Sequence, residues 1–127
     1  MIARDLFHWA NDQADEVSFG GKITPAFQAR VAVDGSQVTV FAVRAYPKRP
    51  AIQIQFMYLM NYEPYQSERL RRSTLKSLNR LMNDDDQFVV DQADRAPTIP
   101  LAYFDRADKI ELFKQIMAEI FDNLRGV

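Results

Sequence analysis

Apolar positions in the first stretch recur at helical spacing: Ile2, Leu6, Trp9 or Ala10, and Ala14, with Arg4, Asp5, Asn11, Asp12 and Asp15 between them. That period predicts a short amphipathic helix over 2–14, which ends before the Gly20-Gly21 pair. From Ala26 the period changes to two. Phe27, Ala29, Val31 and Val33 would share one face of a strand, with Gln28, Arg30 and Ala32 on the other. Asp34-Gly35 follows, a dipeptide that readily takes the positive φ angles of a tight hairpin. The next strand, over 36–46, is apolar on both faces through Val38, Val40, Phe41, Ala42 and Val43. Such a pattern predicts an interior strand covered at least in part on two sides. Pro47 and Pro50 end it, since two prolines this close do not fit one ladder. A third strand over 51–60 would place Ile52, Ile54, Phe56 and Tyr58 on one face and Gln53, Gln55, Met57 and Leu59 on the other.

Pro64 introduces a second helical stretch over 66–82, with Leu70, Thr74, Leu78 and Leu81 or Met82 on its apolar side and Leu75 widening the stripe. Arg69, Arg72, Lys76 and Arg80 occupy the opposite side. Asn83-Asp84-Asp85-Asp86 stops this helix; Gln87-Phe88-Val89-Val90 reads as a short strand, and Ile99 with 101–104 as a further one. Asp105 is a candidate N-cap for the last helix, whose stripe is Ile110, Phe113, Met117, Ile120 and Leu124 and whose stop is Arg125-Gly126.

The predicted order is α-β-β-β-α-β-(β)-α in one α+β domain spanning 1–127. It amounts to a three-stranded antiparallel meander plus one or two short strands, with three helices packed mainly on one face of the sheet. Over most of the chain this element order resembles that of type III secretion chaperones, small dimeric α+β proteins that bind partner polypeptides. The resemblance implies a dimer and a polypeptide partner.

Composition narrows the chemistry. The 127 residues are 47% hydrophobic and 26% charged, which excludes a disordered tail and a disulfide scaffold. With no cysteine and a single histidine, thiol catalysis, Cys-ligated zinc and multi-His metal sites drop out. The absence of cysteine fits a reducing compartment, and the charged pair Arg4-Asp5 interrupts any signal-peptide pattern, so a cytoplasmic protein is expected. The net charge of −1 conceals an asymmetry. Residues 1–43 sum to −2; residues 44–80, with eight basic and two acidic side chains, to +6; residues 81–127 to −5.

The basic middle supplies a candidate polyanion surface: Lys48 and Arg49 on a loop, with Arg69, Arg72, Lys76 and Arg80 along one helix. Tyr46, Tyr62 and Tyr65 are near enough in sequence to stack on bases. A solvated face, partly neutralised by the acidic C-terminal third, explains the same residues. Asp84-Asp85-Asp86 with Asp91 and Asp94 offers oxygen ligands but lacks the alternation, central glycine and terminal glutamate of an EF-hand loop. His8, with Asp5 and Asp12 at helical neighbour distance, fits a surface ion pair as well as a general base. No Gly-rich phosphate loop or nucleophile elbow is present, and no cofactor or metal is implied. Met57, Leu59 and Met60 are candidate contacts between subunits. The expectation is a non-catalytic binding or assembly module forming a homo-oligomer, a dimer foremost. The alternative is a nucleic-acid-binding domain using the basic helix 66–82; an enzyme of unrecognised type, built on His8 or the Asp84–Asp86 cluster, stands third.

Overall fold

In the computed structural model, which describes residues 2–20, 26–44, 50–82, 87–104 and 106–126, the first apolar pattern forms α1 (Ile2–Gln13). Strand β1 (Glu16–Gly20) follows, then β2 (Ala26–Val33), β3 (Ser36–Arg44) and β4 (Ala51–Ile54). A one-turn helix α2 (Phe56–Leu59), helix α3 (Glu68–Asn79) and a 3-10 helix (Val90–Asp94) lead to β5 (Thr98–Pro100), and α4 (Ala107–Arg125) closes the chain. The five strands form one antiparallel sheet in sequence order, β1-β2-β3-β4-β5. The expected α+β fold class, with helices packed on an antiparallel sheet, is what the chain forms.

Cross-strand register separates the two faces. Phe27, Val43, Ile52 and Ile99 stand opposite one another across β2, β3, β4 and β5, and all four are buried. The neighbouring row is Gln28, Ala42, Gln53 and Thr98, because successive side chains point to opposite faces. The β2–β3 turn uses Asp34 at φ 50° and Gly35 at φ 83°, the pair of positive angles that a two-residue hairpin requires. Between the pairs Ala29–Phe41 and Arg30–Thr39, β3 carries one extra residue, Val40, a bulge that lets Val40 and Phe41 both be buried. The Val40 carbonyl accepts the Gln55 N–H at 2.9 Å.

Helices α1 and α4 cover the face of Phe27 and Phe41. The Phe41 ring lies 5.5 Å from Phe113, 6.2 Å from Phe27 and 6.4 Å from Phe121, and Trp9 stacks on Phe121 at 5.8 Å. Helix α3 begins two residues later than the apolar period predicts, because Ser67 caps it by accepting the Leu70 N–H. It packs beside α4, where Asn123 donates to the Tyr65 hydroxyl at 3.1 Å. Gly126, at φ 77°, ends α4 in the left-handed conformation. No helix among the described residues is long and apolar enough to cross a membrane.

Several expectations need correction. The last short strand, expected to run through 101–104, ends at Pro100, and Leu101–Tyr103 form a 3-10 helix. The third strand stops at Ile54, and its second half is helix α2. Phe56 and Leu59 are buried while Met57 and Tyr58 are exposed, which is a spacing of three, although Ile52, Ile54, Phe56 and Tyr58 also satisfy a spacing of two. The 87–90 segment is no strand: the Phe88 N–H donates to Asn79 Oδ1 at 2.7 Å and Asn79 Nδ2 donates to the Phe88 carbonyl at 3.1 Å. One side-chain amide thus meets the backbone groups that a neighbouring strand would satisfy. Strand β1 is additional, since Val17 and Phe19 are too few to register as an alternation. Asp105, the candidate N-cap, lies outside the described residues; Arg106 occupies the cap position and donates twice to Asp108.

Candidate functional site

The face of the sheet turned away from α1 and α4 is polar and concave. Gln28 and Arg30 come from β2, Gln37, Thr39 and Arg44 from β3, and Gln53 from β4, with Gln55 just beyond its end. Met57 and Tyr58 of α2, then Asn61 and Tyr62 of the following turn, wall this face and complete an open cavity of about 690 Å³. The local reason is the short β4. By leaving the sheet at Gln55 and turning into α2, the chain raises a wall at the edge of the polar rows. The Met57 N–H anchors that wall to the Arg95 carbonyl at 3.0 Å.

Two arginines serve this face in different ways. Arg30 engages each of its guanidinium nitrogens internally: Nε donates to Thr39 Oγ1 at 3.2 Å, Nη1 to Glu16 Oε1 at 3.4 Å and Nη2 to Gln28 Oε1 at 2.6 Å. Arg44 donates only through Nε, to Gln53 Oε1 at 3.2 Å, and pairs with no carboxylate among the described residues. The same Gln53 oxygen accepts Gln55 Nε2 at 3.5 Å. Gln55 is only 5% exposed, a buried amide on the floor of the cavity.

The resolved proton affinities lie elsewhere. Asp15 is held below the ordinary carboxylate value because it accepts the Ala32 N–H at 2.8 Å, a gain partly opposed by desolvation and reinforced by Arg125 at 2.9 Å. This carboxylate closes the edge of β2 beyond its pairing with β1 and ties it to the end of α4. The Tyr65 phenol is raised, chiefly by burial.

Other residues singled out in the sequence are dispersed. Lys48, Arg49, Tyr46 and Asp84-Asp85-Asp86 lie outside the described residues. Arg69, Arg72, Lys76 and Arg80 are exposed along α3 and its C-terminal end, and none of them lines the cavity. Arg72 pairs with Glu68 of its own helix at 2.6 Å, while Arg69, Lys76 and Arg80 have no ion-pair partner among the described residues. Neutralisation of this face by the acidic C-terminal third therefore has no ion pair behind it among those residues. Arg71, counted in the same basic run, is a core group 5% exposed. It donates to the carbonyls of Ala93, Tyr65 and Gln66 and to Asp94 Oδ1, so this oxygen of Asp94 is engaged with the core arginine.

Tyr65 is fully buried and offers no ring to a base, whereas Tyr62 reaches the cavity. Met57 is 45% exposed and Met60 is half-buried, but Leu59 is wholly buried in the core. As a contact between subunits Leu59 is thus corrected: on a one-turn helix it points opposite to Met57. His8 is exposed, edge-on to Phe7, and away from the cavity. No cluster of three His, Cys, Asp or Glu among the described residues is arranged to hold a metal ion.

Sequence reading placed Gln28 and Arg30 together, and Gln53 and Gln55 together, but did not join the two sets or single out Arg44. The available signal was the alternation itself, which marks the polar positions of each strand. Which polar positions stand side by side depends on register. Comparison with protein-family models, curated proteins and solved structures finds no match to this chain.

Proposed function

We propose that this chain is a non-catalytic binding module whose ligand lies on the uncovered, polar face of the sheet. The observation that carries the reading is the combination of one face filled by aromatic packing and another left as an open cavity of about 690 Å³ lined by amides, hydroxyls and an arginine with donors to spare. Volumes of that order suit small ligands, and convergent polar groups supply orientation. Among the described residues the lining holds no His, Asp or Glu. The test is amide-resolved NMR of the labelled protein with pooled nucleotides, sugars, amino acids and organic acids. Saturable shifts confined to Gln28, Gln53, Gln55 and Tyr58 support the reading. Shifts that map only to other surfaces overturn it.

Two further readings each have an observation behind them. Self-association, with a dimer foremost, is favoured by Met57 and Tyr58, apolar side chains 45% and 50% exposed side by side on α2. Solution mass measured for the native chain and for Met57→Asp tests it, and a monomer in both removes it. Nucleic-acid binding is favoured by Arg69, Lys76 and Arg80 on one stripe, with no ion-pair partner among the described residues, and binding that fails to weaken with rising salt removes it. A cytoplasmic location is supported by the absence of cysteine.

A further inference from the structure

We infer that Arg44 is an anion seat: the cavity takes a small polar ligand through a carboxylate or phosphate group docked on the free edge of the Arg44 guanidinium. The inference rests on the reading of the uncovered face as the binding site and adds the chemistry of its ligand.

A guanidinium carries five N–H donors in a rigid plane, and its terminal edge presents a parallel pair that matches carboxylate and phosphate oxygens. In Arg44 the Nε donor is committed to Gln53 Oε1 at 3.2 Å. That bond, buttressed by the buried Gln55 amide on the same oxygen, orients the plane while leaving the terminal nitrogens without an acceptor among the described residues. Arg30 supplies the internal contrast: Thr39, Glu16 and Gln28 engage each of its three nitrogens, so its plane is held on all sides and it braces the sheet. Opposite Arg44 on β4 stands Ala51, which has no side chain long enough to compete for that edge. The other lining groups are amides, hydroxyls and the partly exposed rings of Tyr58 and Tyr62, which suit a hydrogen-bonding ligand with a flat or hydroxylated body. The volume fits a small molecule bearing one such anion.

Matched pairs of probes test the inference: N-acetylglutamate against N-acetylglutamine, adenosine 5′-monophosphate against adenosine, and glucose 6-phosphate against glucose. The readout is the set of NMR signals from Arg44 Nε and the Gln53 and Gln55 side-chain amides at millimolar probe. The charged member of at least one pair is expected to shift these signals saturably and its neutral partner to bind at least roughly tenfold more weakly. Whether the glutamate or the phosphate pairs respond identifies the anion. Arg44→Gln should abolish the preference for charge, whereas Arg69→Gln, at a position that is not among the lining residues, should leave it intact. If Arg44→Gln does not fold, Arg44→Lys carries the same test, since a point charge lacks the paired edge. Neutral members that shift these signals as strongly as their charged partners overturn the anion seat and leave the face as a binding site. No shift on this face from any probe overturns the anion seat and counts against the face as well.

Discussion

Phe41 and Ala42 are adjacent in β3 and both are fully buried, yet they look onto opposite environments. Phe41 meets four other aromatic rings, Trp9, Phe27, Phe113 and Phe121, beneath α1 and α4. Ala42 sits between Gln28 and Gln53 on the face those helices leave uncovered. On the first face stability comes from excluding water and filling volume; on the second, the polar side chains satisfy one another only in part. A sheet covered on one side by helices therefore has a stabilising face and a face with hydrogen-bonding capacity left over, and only the second has something to offer a ligand.

Substitutions that cross this division should have the largest effects. Leu59→Asp puts an unpaired charge into the core and is expected to cost on the order of 4 kcal/mol or more, while Met57→Asp, two residues away but exposed, should stay within about 0.5 kcal/mol. Circular dichroism and denaturant melts of the two variants check this; equal stabilities would erase the assigned orientation of α2. Phe41→Ala should cost about 3–5 kcal/mol in urea denaturation, because the cavity it leaves is enclosed by Trp9 of α1 and by Phe113 and Phe121 of α4.

Arg71→Met keeps the apolar stem but orphans the carbonyls that Arg71 serves, for about 2–3 kcal/mol in the same measurement. Asp15→Ala should cost about 1 kcal/mol at neutral pH through the lost bond from Ala32, the partly exposed pair with Arg125 adding little. Because the folded-state affinity of Asp15 for a proton is lowered, its contribution is complete above the ordinary value of 3.8. It is lost as pH falls through the lower folded value, so the native and variant stabilities should converge in acid melts. Gln53→Ala is expected to have a smaller effect than these, less than about 1 kcal/mol, since its bonds to Arg44 and Gln55 are part-buried bonds of the open polar face. A loss as large as that of Phe41→Ala would mean that the polar face holds the fold together.

Most of the covered face was legible in the sequence. The stripe of Phe113, Met117, Ile120 and Leu124, the alternation of Phe27, Ala29 and Val31, and the Asp34-Gly35 turn each encode a local period or a local φ preference, and each lies where that period requires. The polar face was legible only in fragments. The repeat from Ile52 to Tyr58 satisfies two periods at once, and the helical alternative prevailed because it buries Phe56 and Leu59 together. The basic run was misleading in one member: Arg71 looks like its neighbours on paper but faces the interior, where backbone carbonyls and Asp94 take its charge.

By itself, then, the sequence determined the class of fold, the two-residue hairpin and most residues of the apolar core, Leu59 and Tyr65 excepted. These follow from side-chain periodicity and backbone preference, both carried within a few neighbouring residues. Tertiary structure alone decided that every guanidinium nitrogen of Arg30 is engaged while among the described residues only Nε of Arg44 is, that Gln53 and Gln55 support the second, and that α2 walls the face on which they meet. Those outcomes depend on which strand lies beside which and in what register, and pairings between residues distant in the chain leave no period to read.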